Sequence, residues 1–215
     1  CAVFGIAFFV LFALFSPRVQ ANAYEAELPA GLASATDMCA LLPCTEVFPG
    51  ATHFSERKGQ PPYVEAYDKA GADKKLLGYV MLSTDITDTP AYSGKPVVTL
   101  IGMDAKGIFV GVKVLKHSEP ILLLGIPESA LLNFNAQYLG KSVADKIEVG
   151  QSRPDEEVLG LDAISGATVT VIAQNQVMMA SGSAVARQVG ILAPTVRDPA
   201  RYVVTGKRWG WAELV

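Results

Sequence analysis

The sequence predicts an α+β fold, an antiparallel sheet built from β-hairpins with helices packed against it. Three observations carry that reading. Two pairs of β-like runs are each joined by a short, polar, Gly-containing turn. A long helical stretch follows these hairpins instead of alternating with them, which argues against βαβ units. Residues 24–215 are also a suitable length for one compact domain with its own core.

Residues 1–23 read as an address label. Ala2–Phe15 is the uncharged run AVFGIAFFVLFALF, about as long as the apolar core of a secretory signal and short for a membrane span. Ser16-Pro17-Arg18 follows, then Ala21-Asn22-Ala23, an A-x-A cleavage pattern that puts the cut before Tyr24. An uncleaved signal anchor and a buried helix are the alternatives. Either signal or anchor exports the rest of the chain. In an oxidising compartment Cys39 and Cys44 have the option of a short-loop disulfide, although Pro43 restricts the backbone between them. The sequence leaves that pairing open. No His or carboxylate stands at metal-ligand spacing around the two thiols.

The elements of residues 24–215 follow in order. The Ala/Leu-rich stretch from Ala30 through Val47 reads as one or two short helices, and Pro49-Gly50 turns the chain. Tyr63–Asp68 and Lys75–Thr84 form a first hairpin around Lys69–Asp73. Pro96–Met103 and Ile108–Leu115 form a second around Asp104-Ala105-Lys106-Gly107, the clearest in the chain. Within it Val97, Thr99 and Ile101 alternate with Val98, Leu100 and Gly102. Both faces are largely apolar, so this strand belongs inside the sheet. Pro127–Gly140 reads as a short helix with Leu131, Leu132, Phe134 and Tyr138 on a helical repeat and Gly140 as its stop. Val169–Gly190 is the best helix, with Val171, Ile172, Val177, Met178, Val185 and Val189 as its apolar stripe. Arg208-Trp209-Gly210-Trp211 reads as an aromatic collar at a membrane surface.

Composition removes several function classes. A net charge of −3 without a Lys/Arg cluster argues against nucleic acid, whose binding needs clustered cations to displace counterions. Two His, neither in a G-x-S-x-G context, give a Ser or Thr hydrolase no recognisable base. Nothing places two carboxylates across a cleft for glycoside hydrolysis.

The informative stretch is Asp162-Ala163-Ile164-Ser165-Gly166-Ala167-Thr168-Val169-Thr170, leading into the long helix. Ser165 reads as the N-cap, and Gly166 permits a close backbone approach. The unpaired first-turn amides and the positive end of the helix dipole suit a phosphate, with the Thr168 hydroxyl in reach. The bland alternative is a capped helix with nothing bound, since the stretch lacks the Lys of a P-loop.

D-x-x-S-G-A-T-x-T ahead of an amphipathic helix resembles the flavinylation motif of exported FMN-binding domains, as in Rnf and sodium-pumping NADH:quinone oxidoreductase complexes and the NosR/NirI proteins. The resemblance implies an FMN-binding fold with FMN joined through its phosphate to Thr168. A flavin transferase would make the attachment, using FAD as donor and Mg²⁺. Asp162, Ser165, Gly166, Ala167 and Thr170 are the motif's other site residues. Three further stretches favour the NosR branch. They are Gly78–Thr84 continuing to Tyr92-Ser93-Gly94-Lys95-Pro96, then His117–Pro127, then Ala173–Gly190 with Gln174-Asn175-Gln176.

His117–Pro127 reads as a loop in which Pro120 and Pro127 bracket an apolar run. By its own composition it suits a wall for a flat apolar ring, with Ile121–Leu124 for packing and Gly125 for close approach, or else a loop tucked onto the core with His117 and Glu119 merely solvated. The resemblance lays it over the isoalloxazine, with His117, Glu119, Leu123, Leu124 and Gly125 as contacts. The expected protein is a periplasmic electron-transfer domain at the inner membrane rather than an enzyme with its own small-molecule substrate. It would serve nitrous-oxide reductase maturation or electron supply, joined to a membrane-spanning iron–sulfur part of a longer chain. A sensory FMN module that passes no electrons and the FMN subunit of an Rnf-type complex are the alternatives.

Overall fold

Side-chain alternation decides the two faces of the sheet. The computed structural model of this protein describes residues 27–194, without the side chains of Leu123 and Leu124. The signal-like segment 1–23 and the Arg208–Trp211 collar lie outside the described residues. Five strands form one antiparallel sheet in chain order: β1 (His53–Phe54), β2 (Val64–Tyr67), β3 (Leu76–Leu82), β4 (Val98–Asp104) and β5 (Phe109–Lys116). Both expected hairpins are there, and β1 adds an edge strand too short to show a period in the sequence.

Tyr79, Met81, Ile101, Met103 and Phe109 face one apolar layer, while Val80, Leu82, Val98 and Leu100 face another. β4 lies between β3 and β5 with both faces buried, as its doubly apolar pattern predicts. The β4–β5 turn is set by Asp104. Its Oδ1 accepts the amides of Lys106 and Ile108, both at 2.8 Å, and Gly107 takes the left-handed backbone (φ +88°) that closes the turn.

The N-terminal segment covers the second face. The expected helices shrink to a 3₁₀ turn at Met38–Ala40 and the four-residue α1 (Cys44–Val47), joined by a Cys39–Cys44 disulfide. Pro43 does not prevent that closure; it sits as the residue leading into α1. Arg57 pins the segment to the sheet. Its amide donates to Thr36 O (2.8 Å), its guanidinium to Ala33 O (3.2 Å), and it pairs with Asp85 at 3.0 Å. Burial pushes the Asp85 carboxyl up, against the pull of Arg57. α1 ends directly on the sheet, and two glycines, Gly102 and Gly111, make room for its Val47 backbone, while Gly78 lies against the Phe48 ring that follows. Gly102 and Gly111 are cross-strand partners.

The first face is covered by α2 (Pro120–Leu124), α3 (Glu128–Ala136) and α4 (Thr168–Gln188). Two short parallel strands, β6 (Lys146–Val149) and β7 (Val158–Leu161), lie beside α4. Neither was legible as a strand, because four-residue runs around a Gly/Pro-containing connection carry no period. The buried side of α4 is more polar than an apolar stripe. Val171, Val177, Met178 and Val185 are buried as expected, but Ile172 is 44% exposed, and Gln174 and Ser181 are fully buried. Gln174 Nε2 donates to Thr99 Oγ1 on β4 (3.1 Å) and to Asn135 Oδ1 on α3 (2.8 Å). Asn175 accepts the Tyr138 hydroxyl at 2.7 Å and donates to Ile147 O at 3.0 Å. Burial pushes the Tyr138 phenol far up, so it remains a donor. These bonds fix the rotation and height of α4, and with them the position of its first turn.

Candidate flavin site

Leading into α4, the chain turns once. Ile164-Ser165-Gly166-Ala167 is a β-turn closed by the Ala167 amide on Ile164 O (3.0 Å), with Gly166 at φ +82°. The turn displaces the expected cap. Ser165 is exposed within it, while the residue preceding the helix is Ala167, with no side chain capping it. The first intrahelical bond is Val171 N to Ala167 O (3.1 Å). The amides of Thr168, Val169 and Thr170 therefore have no protein acceptor among the described residues. Losing the serine cap makes this helix start a better anion site than the sequence implied.

An open cleft of about 320 Å³ lies in front of it, lined by Tyr92, Ile121 and the run Gly166–Thr170. Thr168 is exposed to this cleft, and its hydroxyl makes no hydrogen bond among the described residues. Thr170 is 1% exposed, and its hydroxyl donates to Glu119 Oε2. Of the two threonines, only Thr168 offers its oxygen to an incoming group.

Glu119 organises the cleft walls. It is fully buried, not solvated. Besides Thr170, it accepts the backbone amides of Tyr92 (3.2 Å) and Ser93 (2.9 Å). One carboxylate thus ties the turn carrying Tyr92 to the first turn of α4, and three donors with the positive helix end offset its desolvation. Its own amide donates to Nδ1 of the buried His117 at 3.2 Å. Glu119→Gln would turn an NH2 donor toward groups that already donate. We expect a loss of about 2–3 kcal/mol in stability, measured by urea unfolding. An unchanged midpoint would show that this carboxylate holds nothing.

The loop before the turn is held through its backbone. Gln137, at the end of α3, accepts the Asp162 amide (2.7 Å) and donates to Asp162 O (3.1 Å). The exposed Asp162 carboxylate has no partner among the described residues.

Residues 92–180 match the model of the FMN-binding domain family. The chain is 42% identical over 118 residues to a regulatory protein NosR of Stutzerimonas stutzeri, covering 55% of this chain and 16% of that protein. It is 37% identical over 147 residues to a regulatory protein NosR of Pseudomonas aeruginosa, covering 68% and 20%. Protein NirI of Paracoccus denitrificans is 30% identical over 98 residues, covering 46% and 13%. The chain carries an FMN-binding domain of the NosR/NirI family. It spans a fifth or less of the length of these relatives.

The residues of this FMN-binding domain suit the phosphate end of the cofactor. Three unpaired amides, a glycine turn and an exposed hydroxyl converge on one cleft. Of the site residues read from sequence, Gly166, Ala167, Thr168 and Thr170 line that cleft. Ser165 lies on the exposed turn, and Asp162 is exposed on the loop before it. His117 and Glu119 sit beneath it as buried supports. The expected loop His117–Pro127 contains α2, and the residue it sends to the cleft is Ile121, while Leu122 is in the core. Leu123 and Leu124 lie on α2 with side chains outside the described residues, and the exposed Gly125 ends that helix. Ile121 belongs to the apolar run Ile121–Leu124 read from the sequence as ring packing, whereas Tyr92 and Gln137 were missed as site residues. Both act through tertiary placement, and a lone Tyr or Gln carries no local signal. Among the described residues no helix is long and apolar enough to cross a membrane, and no His/Cys/Asp/Glu group could hold a metal ion.

Proposed function

We propose that this domain carries FMN covalently, as a phosphoester on Thr168, and relays electrons on the periplasmic face of the inner membrane. It would do so within a longer NosR-like flavoprotein whose membrane-spanning part holds iron–sulfur centres, serving nitrous-oxide reductase maturation or electron supply. The observation that carries the attachment is the exposed Thr168 hydroxyl, without a hydrogen bond among the described residues, on an uncapped helix start inside the family-matched region. A flavin transferase with FAD and Mg²⁺ would complete it. Thr168 Oγ1 bonds to the FMN phosphorus of FAD, the bond to the AMP moiety breaks, and AMP leaves as the hydroxyl proton is released. When bound, FMN supplies the reversible redox chemistry. The chain's residues anchor the phosphate, orient the ring and keep the acceptor accessible. The Cys39–Cys44 disulfide supports an oxidising compartment. The test is the intact mass of protein made with and without a flavin transferase. Only the former should gain one FMN less one water, and equal masses would sink the reading.

Asp162 would be read by the transferase. Because the loop is held by backbone bonds to Gln137, Asp162→Ala leaves its geometry in place. We expect slower flavin incorporation, by about tenfold or more on the scale of a lost charge-assisted contact, with an unchanged circular dichroism spectrum. Incorporation at the wild-type rate would remove Asp162 from the recognition motif.

One observation favours a second reading. Both NosR relatives are described as regulatory proteins, which fits a sensory FMN module that passes no electrons. Fast, reversible reduction and reoxidation of the loaded domain would favour the carrier, and sluggish or irreversible reduction the sensor.

A further inference from the structure

The flavin ring needs a wall that the attachment segment does not supply. Resting on the Thr168 attachment, we propose that Tyr92 is that wall, its ring stacking on the isoalloxazine of the tethered FMN. Tyr92 is 67% exposed, the most exposed of the large apolar side chains described. It lines the same cleft as Thr168 yet lies on a different element, the turn between β3 and β4. That turn is not loose. Ala91 N donates to Lys95 O (3.0 Å), Gly94 N donates to Ala91 O (2.9 Å), and Gly94 takes φ +76°.

Glu119 makes the placement specific. Its Oε2 accepts both the Tyr92 amide and the Thr170 hydroxyl, so one oxygen registers the Tyr92 backbone against the helix turn that bears Thr168. An exposed aromatic alone means nothing, since single exposed apolar residues are normal. An exposed aromatic held through its backbone beside the acceptor of a flat aromatic group is a platform. Ile121 and Val169, the latter 54% exposed, complete an apolar rim around the ring.

The experiment compares flavin fluorescence before and after denaturation in wild type, Tyr92→Ala and Tyr92→Trp, each loaded by a flavin transferase and weighed intact. A stacked aromatic ring quenches flavin emission. Wild type and Tyr92→Trp should therefore brighten strongly on unfolding. Tyr92→Ala should already be several-fold brighter than wild type while folded. Among the described residues the side chain carries no hydrogen bond, and it is largely exposed, so the Ala variant keeps the fold, checked by circular dichroism. A loaded Ala variant as quenched as wild type overturns the stacking alone. A wild-type protein that gains no flavin mass overturns the attachment, and the stacking with it.

Discussion

Thr168→Val, produced with a flavin transferase, is expected to carry no covalent flavin at all. Valine keeps the branched shape of threonine but has no oxygen to bond to phosphorus. The fold should hardly notice, because the Thr168 hydroxyl is exposed and has no hydrogen bond among the described residues. A change within about 0.5 kcal/mol is the scale for such a surface substitution. In-gel flavin fluorescence after denaturation checks it: a bright wild-type band and a dark variant band. Thr170 is the next hydroxyl along, but it is buried and committed to Glu119. It should not take over, and a bright band in Thr168→Val would overturn that assignment.

The largest effect on stability is expected from Gly111→Ala. A Cβ on Gly111 would sit 2.0 Å from Val47 O and 2.5 Å from Val47 C and Cα. These are backbone atoms of α1, so no side-chain rotation relieves the clash. α1 is itself held by the Cys39–Cys44 disulfide and by the buried Val47 and Phe48. The sheet and the N-terminal layer must therefore separate, at a cost of about 3 kcal/mol or more. Domain stability is about 5–15 kcal/mol, so such a loss threatens folding at 37 °C. Gly50→Ala is the control, since its nearest neighbour would be a Leu77 methyl at 4.0 Å. Thermal unfolding should show a large fall in midpoint for Gly111→Ala and almost none for Gly50→Ala. Equal midpoints would mean that α1 does not rest on the sheet as described.

The hairpins were legible because their signals are local. Asp104 and Gly107 specify a turn within four residues, and β4 declares its two buried faces by its own alternation. The start of α4 was legible to within one residue for a related reason, since Gly166 punctuates the chain there. Its cap was misread. Ser165 has the right chemistry for an N-cap, but the β-turn through Gly166 places it too early, and the sequence does not distinguish the two uses of S-G.

The site was half legible. Thr168 and its glycine turn stand in one motif, whereas the opposite wall comes from Tyr92 and Ile121 on two separate elements, held together through the buried Glu119. Glu119 shows the difficulty best. A Glu beside His and Pro in a loop reads as solvated, and only the fold reveals that three donors bury it. Burial of a carboxylate depends on partners that are distant in sequence, here 26, 27 and 51 residues away.

The central claim is that one hydroxyl, that of Thr168, bears the flavin phosphate. Its most direct test is to digest the flavinylated protein and sequence the peptide containing Asp162–Thr170 by tandem mass spectrometry. The account predicts a single added FMN phosphoester, localised by fragment ions to Thr168, with Ser165 and Thr170 unmodified. Localisation to Ser165 or Thr170, or an unmodified peptide from protein that has gained the flavin mass, would contradict it.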